Sequence, residues 1–238
     1  MKKLLILGAC IPALALADAS SADLTFKGTG AGSSGQIEIY GKKLNVGVVQ
    51  QKFKMTNVTK SSSLYAKNGT EQNVYCVDLS QWTDTKNTNR YCIVTADQLD
   101  ALKGCPGQAQ RIAALNALWD CGLTGKFGNA WETKNNDYAT AFQLMAWELE
   151  YDYNGAANSV NLSGGDFKYH TALTAGAVSI FNELKTKVVD CKPNVPNTSV
   201  AYLKNDCLQD YVCPVPEPST WAAMAAGVTL MARRRRKK

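Results

Sequence analysis

Two periods divide the chain. Up to about Thr95 apolar residues tend to alternate with polar ones, and beyond Ala96 they recur every three or four positions. Ile37 and Ile39 alternate with polar neighbours, Gly41-Lys42-Lys43 supplies a turn, and Leu44, Val46 and Val48 resume the period, which predicts a hairpin. Weaker strands are predicted over residues 53–58 and 63–66, then one through Val74-Tyr75-Cys76-Val77-Asp78-Leu79 and another over residues 90–95. The Gly- and Ser-rich run 29–35 reads as a turn.

The helical period covers three segments. Residues 108–120 place Ile112, Leu115, Leu118 and Trp119 in register, with Pro106 near the start and Gly122 past the end. Asp137 is the expected cap of a helix reaching Tyr151, and residues 170–188 carry Leu173, Ala177, Ile180, Leu184 and Val188 on one face before Pro193. Closing strands are predicted over residues 199–203 and 208–212. A β-rich part, a helical part and a return to β predict an α+β fold.

Both ends read as addresses. Lys2 and Lys3 precede an apolar stretch from Leu4 to Ala17, the build of a secretory signal, and cleavage after Ala17 or Ala22 satisfies the small-residue requirement equally. At the other end Pro216-Glu217-Pro218 is followed by 14 apolar-leaning residues, 219–232, and then by six consecutive bases. A helix needs roughly 17 to 25 apolar residues to cross a bilayer, so this run pauses in a membrane more readily than it anchors there. This tail resembles the PEP-CTERM sorting signal of Gram-negative bacteria. The resemblance implies an exported protein of the cell surface or extracellular matrix, processed by an exosortase and touching the membrane only through its C-terminal segment. The expected layout is a signal peptide over 1–22, one domain over 23–213 and the sorting signal over 214–238.

The net charge of +6 belongs to these ends, leaving 18 bases and 18 acids between Asp23 and Cys213. A neutral domain gives no footprint for a nucleic-acid partner. Seven cysteines remain after the signal is removed, an odd number in an oxidising compartment. Cys92, Cys105, Cys121, Cys191, Cys207 and Cys213 are the disulfide candidates, with connectivity open, and Cys76 is the expected unpaired thiol. No Cys-x-x-Cys occurs and His170 is the single histidine, so no metal site or cofactor is expected.

Cys76 and Gln143 are the residues around which chemistry is expected. In the helix after Asp137 the core stripe is Tyr138, Ala141, Phe142, Met145 and Leu149, with Gln143 off that stripe and Trp147 one turn later beside it. Asp78 and Glu148 flank the pair and are expected to be solvated. Tyr75-Cys76-Val77-Asp78 and Phe142-Gln143-Leu144-Met145-Ala146-Trp147 together resemble the two halves of a Cys-Gln thioester domain, across roughly residues 73–152. Met145 stands where that family commonly has alanine, and Ala146 where it has an aliphatic residue. The resemblance implies a thioester-domain-like β-sandwich or barrel with a helical insertion, stabilised by disulfides. It also implies a thioester between Cys76 and Gln143 that attaches the protein to a surface or matrix amine or hydroxyl. Tyr75, Phe142 and Trp147 are the expected walls of a dry pocket. Such a bond acts once per molecule, so no enzyme is expected.

Two other readings compete. An enzyme with a Ser or Cys nucleophile would have to use His170, which has no recognisable nucleophile motif near it. A non-covalent, disulfide-stabilised matrix or glycan-binding module would use Trp82 and Trp131 in loops rich in asparagine and glutamine.

Overall fold

The computed structural model describes residues 20–59, 69–122, 131–190 and 200–214 of the 238. Residues 1–19 of the expected signal peptide, the predicted strand over 63–66, Pro193 and the sorting motif Pro216, Glu217 and Pro218 lie outside them, whereas Ser21 and Ala22 belong to the first strand.

Seven strands form one antiparallel sheet: β1 (Ser21–Ile39), β2 (Lys42–Thr59), β3 (Glu71–Cys76), β4 (Thr88–Val94), β5 (Phe167–Tyr169), β6 (Val200–Asn205) and β7 (Leu208–Pro214). Their order is β2-β3-β7-β6-β4-β1-β5, and β1 also pairs with β2. Six strands therefore close on themselves as a barrel, which removes the open edges of that part of the sheet. The short β5 hangs on the far half of β1.

The predicted hairpin is the spine of this fold, longer than its period suggested. Tyr40 and Gly41 make its two-residue turn with φ of 49° and 77°, the left-handed pair that matches strand twist. The 29–35 run is not a turn. It lies within β1, where Gly28 and Gly32 adopt φ of 128° and 139° and the register shifts between Phe26 and Gly28 and between Thr29 and Gly32. The glycines bend a long strand at bulges and do not end it.

The helices α1 (Gln108–Gly122), α2 (Asn136–Tyr151) and α3 (Ala175–Asp190) are inserted between β4 and β6. The cap of α2 is Asn135, whose side chain accepts from the Tyr138 N–H, while Asp137 sits in the first turn and accepts from the Thr174 hydroxyl. Helix α3 starts five residues later than expected, because His170 follows β5 and Thr174 caps the Ala177 N–H at 3.0 Å.

Every residue from Tyr138 to Tyr151 is buried. Helix α2 packs on α1 and α3 and also on β1 and β2, so it has no solvent face. Gln143, Glu148 and Glu150 are consequently core residues, and Trp119, Trp131, Tyr138 and Phe142 form an aromatic cluster beside it.

The cysteines depart from the expected three bridges. Cys92, Cys105 and Cys213, like Cys76, carry free thiols. Cys92 is exposed on β4 and Cys213 buried on β7, with β6 between them. Two strand spacings, about 9–10 Å, exceed the reach of a disulfide. Cys207 is disulfide-bonded. The side chains of Cys121 and Cys191 lie outside the described residues.

Candidate functional site

Strand β3 brings Cys76 to a place where the sheet parts. Its ladder with β2 ends at the Gln51–Val74 pair, while on the other side the Val77 N–H donates to the Asp210 carbonyl at 3.1 Å. Backbone groups alternate along an antiparallel strand, so the Cys76 N–H and C=O face the side that β2 has left. Gln143 fills that gap. Its Oε1 accepts from the Cys76 N–H at 3.0 Å, and its Nε2 donates to the Cys76 carbonyl at 2.8 Å. The carboxamide acts as a one-residue strand partner, wholly buried at 0% exposure.

The sulfur has its own polar contact. Gln51 Nε2 donates to Cys76 Sγ at 3.2 Å, and Gln51 Oε1 lies 3.0 Å from the Thr83 hydroxyl. Thr83 also stands 2.9 Å from Gln209 Oε1, so its one proton serves one of these carbonyls at a time, and it accepts from the Tyr211 hydroxyl at 2.8 Å. Gln209 Nε2 in turn donates to the Asp78 carbonyl at 2.5 Å. Gln51 and Thr83 were not legible as site residues. Alternation of β2 was the available signal, since a glutamine on the inward side of a strand needs a buried polar partner.

The expected pocket residues separate into two groups. Trp147 lines a cavity of about 300 Å³ together with Cys76 and Gln51. Tyr75 and Phe142 do not line it. Tyr75 points to the opposite side of β3 and packs against Phe142, with ring centroids 4.8 Å apart, while its hydroxyl accepts from Gln50. These rings support α2 from behind. Met145 and Ala146 are fully buried, so the exchanged pair is accommodated in the core.

Burial pushes the Cys76 thiol well above its usual range, and the nearby Asp78 and Glu150 charges push the same way. The thiol is thus protonated at neutral pH. The acids are buried, not solvated as expected. Asp78 Oδ1 accepts from the Ser80 N–H and Glu148 Oε2 from the Asn161 N–H, each pinning a loop. Desolvation pushes Glu148 up to about 8 and Asp210 up to about 7. Glu150 is held well above the carboxylate range by burial and then by Asp78 and Asp210, and neither of its carboxyl oxygens has a hydrogen-bond partner among the described residues.

The other candidates lie apart from this centre. His170 is exposed, with Nε2 3.0 Å from Glu38 beside Lys168, so it is a surface hydrogen-bond partner of that carboxylate. Trp131 is buried against Trp119, whereas Trp82 is 64% exposed at the cavity mouth. Among the described residues no group of His, Cys, Asp or Glu is arranged to hold a metal ion, and no helix is long and apolar enough to cross a membrane.

Residues 214–237 match the PEP-CTERM protein-sorting motif. That motif marks an exported protein sorted to the cell surface, with exosortase processing and a C-terminal membrane anchor. Comparison with curated proteins finds no match. Among solved structures, the chain is similar to a pilus-presented adhesin, Cpa, in a cysteine-to-alanine mutant form. The identity is 10% and the TM-score 0.42, over 81% of this chain and 65% of that one.

Proposed function

We propose that this exported protein forms an internal thioester between Cys76 and Gln143 and uses it once to join itself covalently to an amine or hydroxyl on a target. The observation that carries this reading is the double hydrogen bond between the Gln143 carboxamide and the Cys76 backbone, made out of reach of the surface beside a free thiol.

The arrangement supplies several parts of the chemistry. The Cys76 N–H already touches Gln143 Oε1, where negative charge develops when sulfur adds to the acyl carbon. The sulfur–carbon bond forms, the carbon–nitrogen bond breaks, and the thiol proton goes to the departing nitrogen, which leaves as ammonia. A protonated thiol is therefore suited to the step. Holding the reactants together supplies an effective molarity on the order of 10⁵ M or more, enough to make an unactivated amide reactive. In the second step a nucleophile attacks the same carbon, its proton passes to the departing Cys76 sulfur, and an amide or ester remains at position 143. The raised proton affinity of the buried sulfur makes it a good acceptor, and no other titratable side chain lines the cavity.

Methylamine trapping tests the proposal. Treatment of native protein is expected to leave a methylamide at position 143 and one newly alkylatable thiol, mapped by peptide mass to Cys76. A native protein that yields neither, while Cys76 is reactive from the start, refutes it.

A further inference from the structure

We infer that the cavity above Cys76 is a subsite for a neutral carbohydrate, which would deliver the attacking group; this rests on the thioester reading for the location of the reacting atoms. Among the described residues sixteen line the cavity, and none of them is Asp, Glu, Lys, Arg or His. A lysine ammonium entering it would lose water without meeting a carboxylate, a cost that selects against a cationic partner.

What the lining offers is a mixture of flat apolar surface and neutral hydrogen-bonding groups. Trp82 stands at the mouth with 64% of its surface exposed, second among the described aromatic residues to Tyr40 at the β1–β2 turn. Phe26 and Leu44 continue the apolar wall, and Asn45, Gln81 and Thr85 place amides and a hydroxyl around it. The depth runs from these rim groups to Trp147, Gln51 and Cys76, all buried at the floor. A pyranose ring has the matching surface, with C–H faces that stack on an indole and an equator of hydroxyls for amides. A wholly apolar ligand would leave those amides unpaired. The volume, about 300 Å³, is at the small end of ligand sites and suits one or two rings rather than a protein segment.

Covalent capture follows from the placement. A sugar held by Trp82 would bring a hydroxyl toward Cys76, the half of the proposed bond that lines the cavity. Proximity then offsets the weak nucleophilicity of a hydroxyl.

The test separates this inference from the thioester itself. A Cys76→Ala chain, which has no thiol to form the bond, is applied to an array of neutral, amino, acidic and lysine-bearing ligands, with Trp82→Ala in the same background as comparator. Binding to neutral members, weakened about tenfold or more by Trp82→Ala, is expected. No array binding, binding confined to amino, acidic or lysine-bearing members, or binding indifferent to Trp82→Ala overturns the inference. If Cys76→Ala binds sugar but native protein shows no ammonia loss, the subsite stands and the covalent reading fails. Ammonia loss with no sugar binding gives the reverse.

Discussion

Gln51 and Cys76 sit on the same face of two neighbouring strands, and the glutamine amide reaches diagonally past Val74 to donate to the sulfur at 3.2 Å. This contact fixes the side-chain torsion that aims the thiol, at a point where the β2 ladder no longer holds β3. Gln51→Leu keeps the bulk and removes the contact. We expect ammonia loss after refolding to slow by about tenfold, of the size of one lost hydrogen bond. The time course of intact mass measures it, and an unchanged rate would show that Gln51 only fills space.

Gln143 carries a structural duty beside its chemistry. Gln143→Leu strips both partners from the Cys76 backbone and leaves a buried N–H and C=O unsatisfied, at a cost of about 2–5 kcal/mol. Cys76→Ser keeps both bonds and, like Gln143→Leu, cannot form the thioester, so it should be the more stable of the two by about 1 kcal/mol or more. Denaturant unfolding of the two variants checks the order. Equal losses would mean that the backbone clasp contributes nothing.

The buried acids set a pH dependence. Glu148 is raised from the usual 4.5 to about 8, so between those values the unfolded state releases a proton that the folded state keeps. Stability is therefore full below about 4.5 and is lost as pH rises toward 8, by an amount on the order of 5 kcal/mol at most. Asp210, raised to about 7, and Glu150 act in the same direction. The melting temperature should fall from pH 5 to pH 8. Glu148→Gln, which retains an oxygen for the Asn161 N–H, should flatten that slope. A melting temperature that rises over this range contradicts the assignment.

The sheet also bears on the signal cleavage site. The Ser20 carbonyl accepts from the Ile93 N–H at 2.8 Å, Ser21 pairs with Thr59 and Cys92, and Ala22, at 1% exposure, pairs with Tyr91. Cleavage after Ala22 would strip these from β1. We therefore expect the mature chain to begin at Asp18, as read by the mass of its N-terminal peptide, and a start at Asp23 would contradict this.

Much of this was legible because local chemistry agreed with the fold. The hairpin, though its turn is Tyr40-Gly41 and not the expected Gly41-Lys42-Lys43, the three helices and the closing strands followed from period and punctuation, and Cys76 stood out as the cysteine apart from the other six. Other features depended on what packs where. A glycine at a bulge and a glycine in a turn look alike in sequence, so residues 29–35 were read as a turn. A helix covered on all sides keeps an amphipathic pattern in part, so Gln143 read as lying off the core stripe although it is wholly buried. The cysteine count said nothing about strand order, and strand order separates Cys92 from Cys213. Gln51 was illegible because its role depends on a neighbour 25 residues away.

The most direct test of the account is the intact mass of the mature, natively folded protein against Cys76→Ala and Gln143→Ala. The account predicts that the native chain weighs less than its sequence by one ammonia and that neither variant does. A native mass equal to the full sequence, with Cys76 open to alkylation, would contradict it.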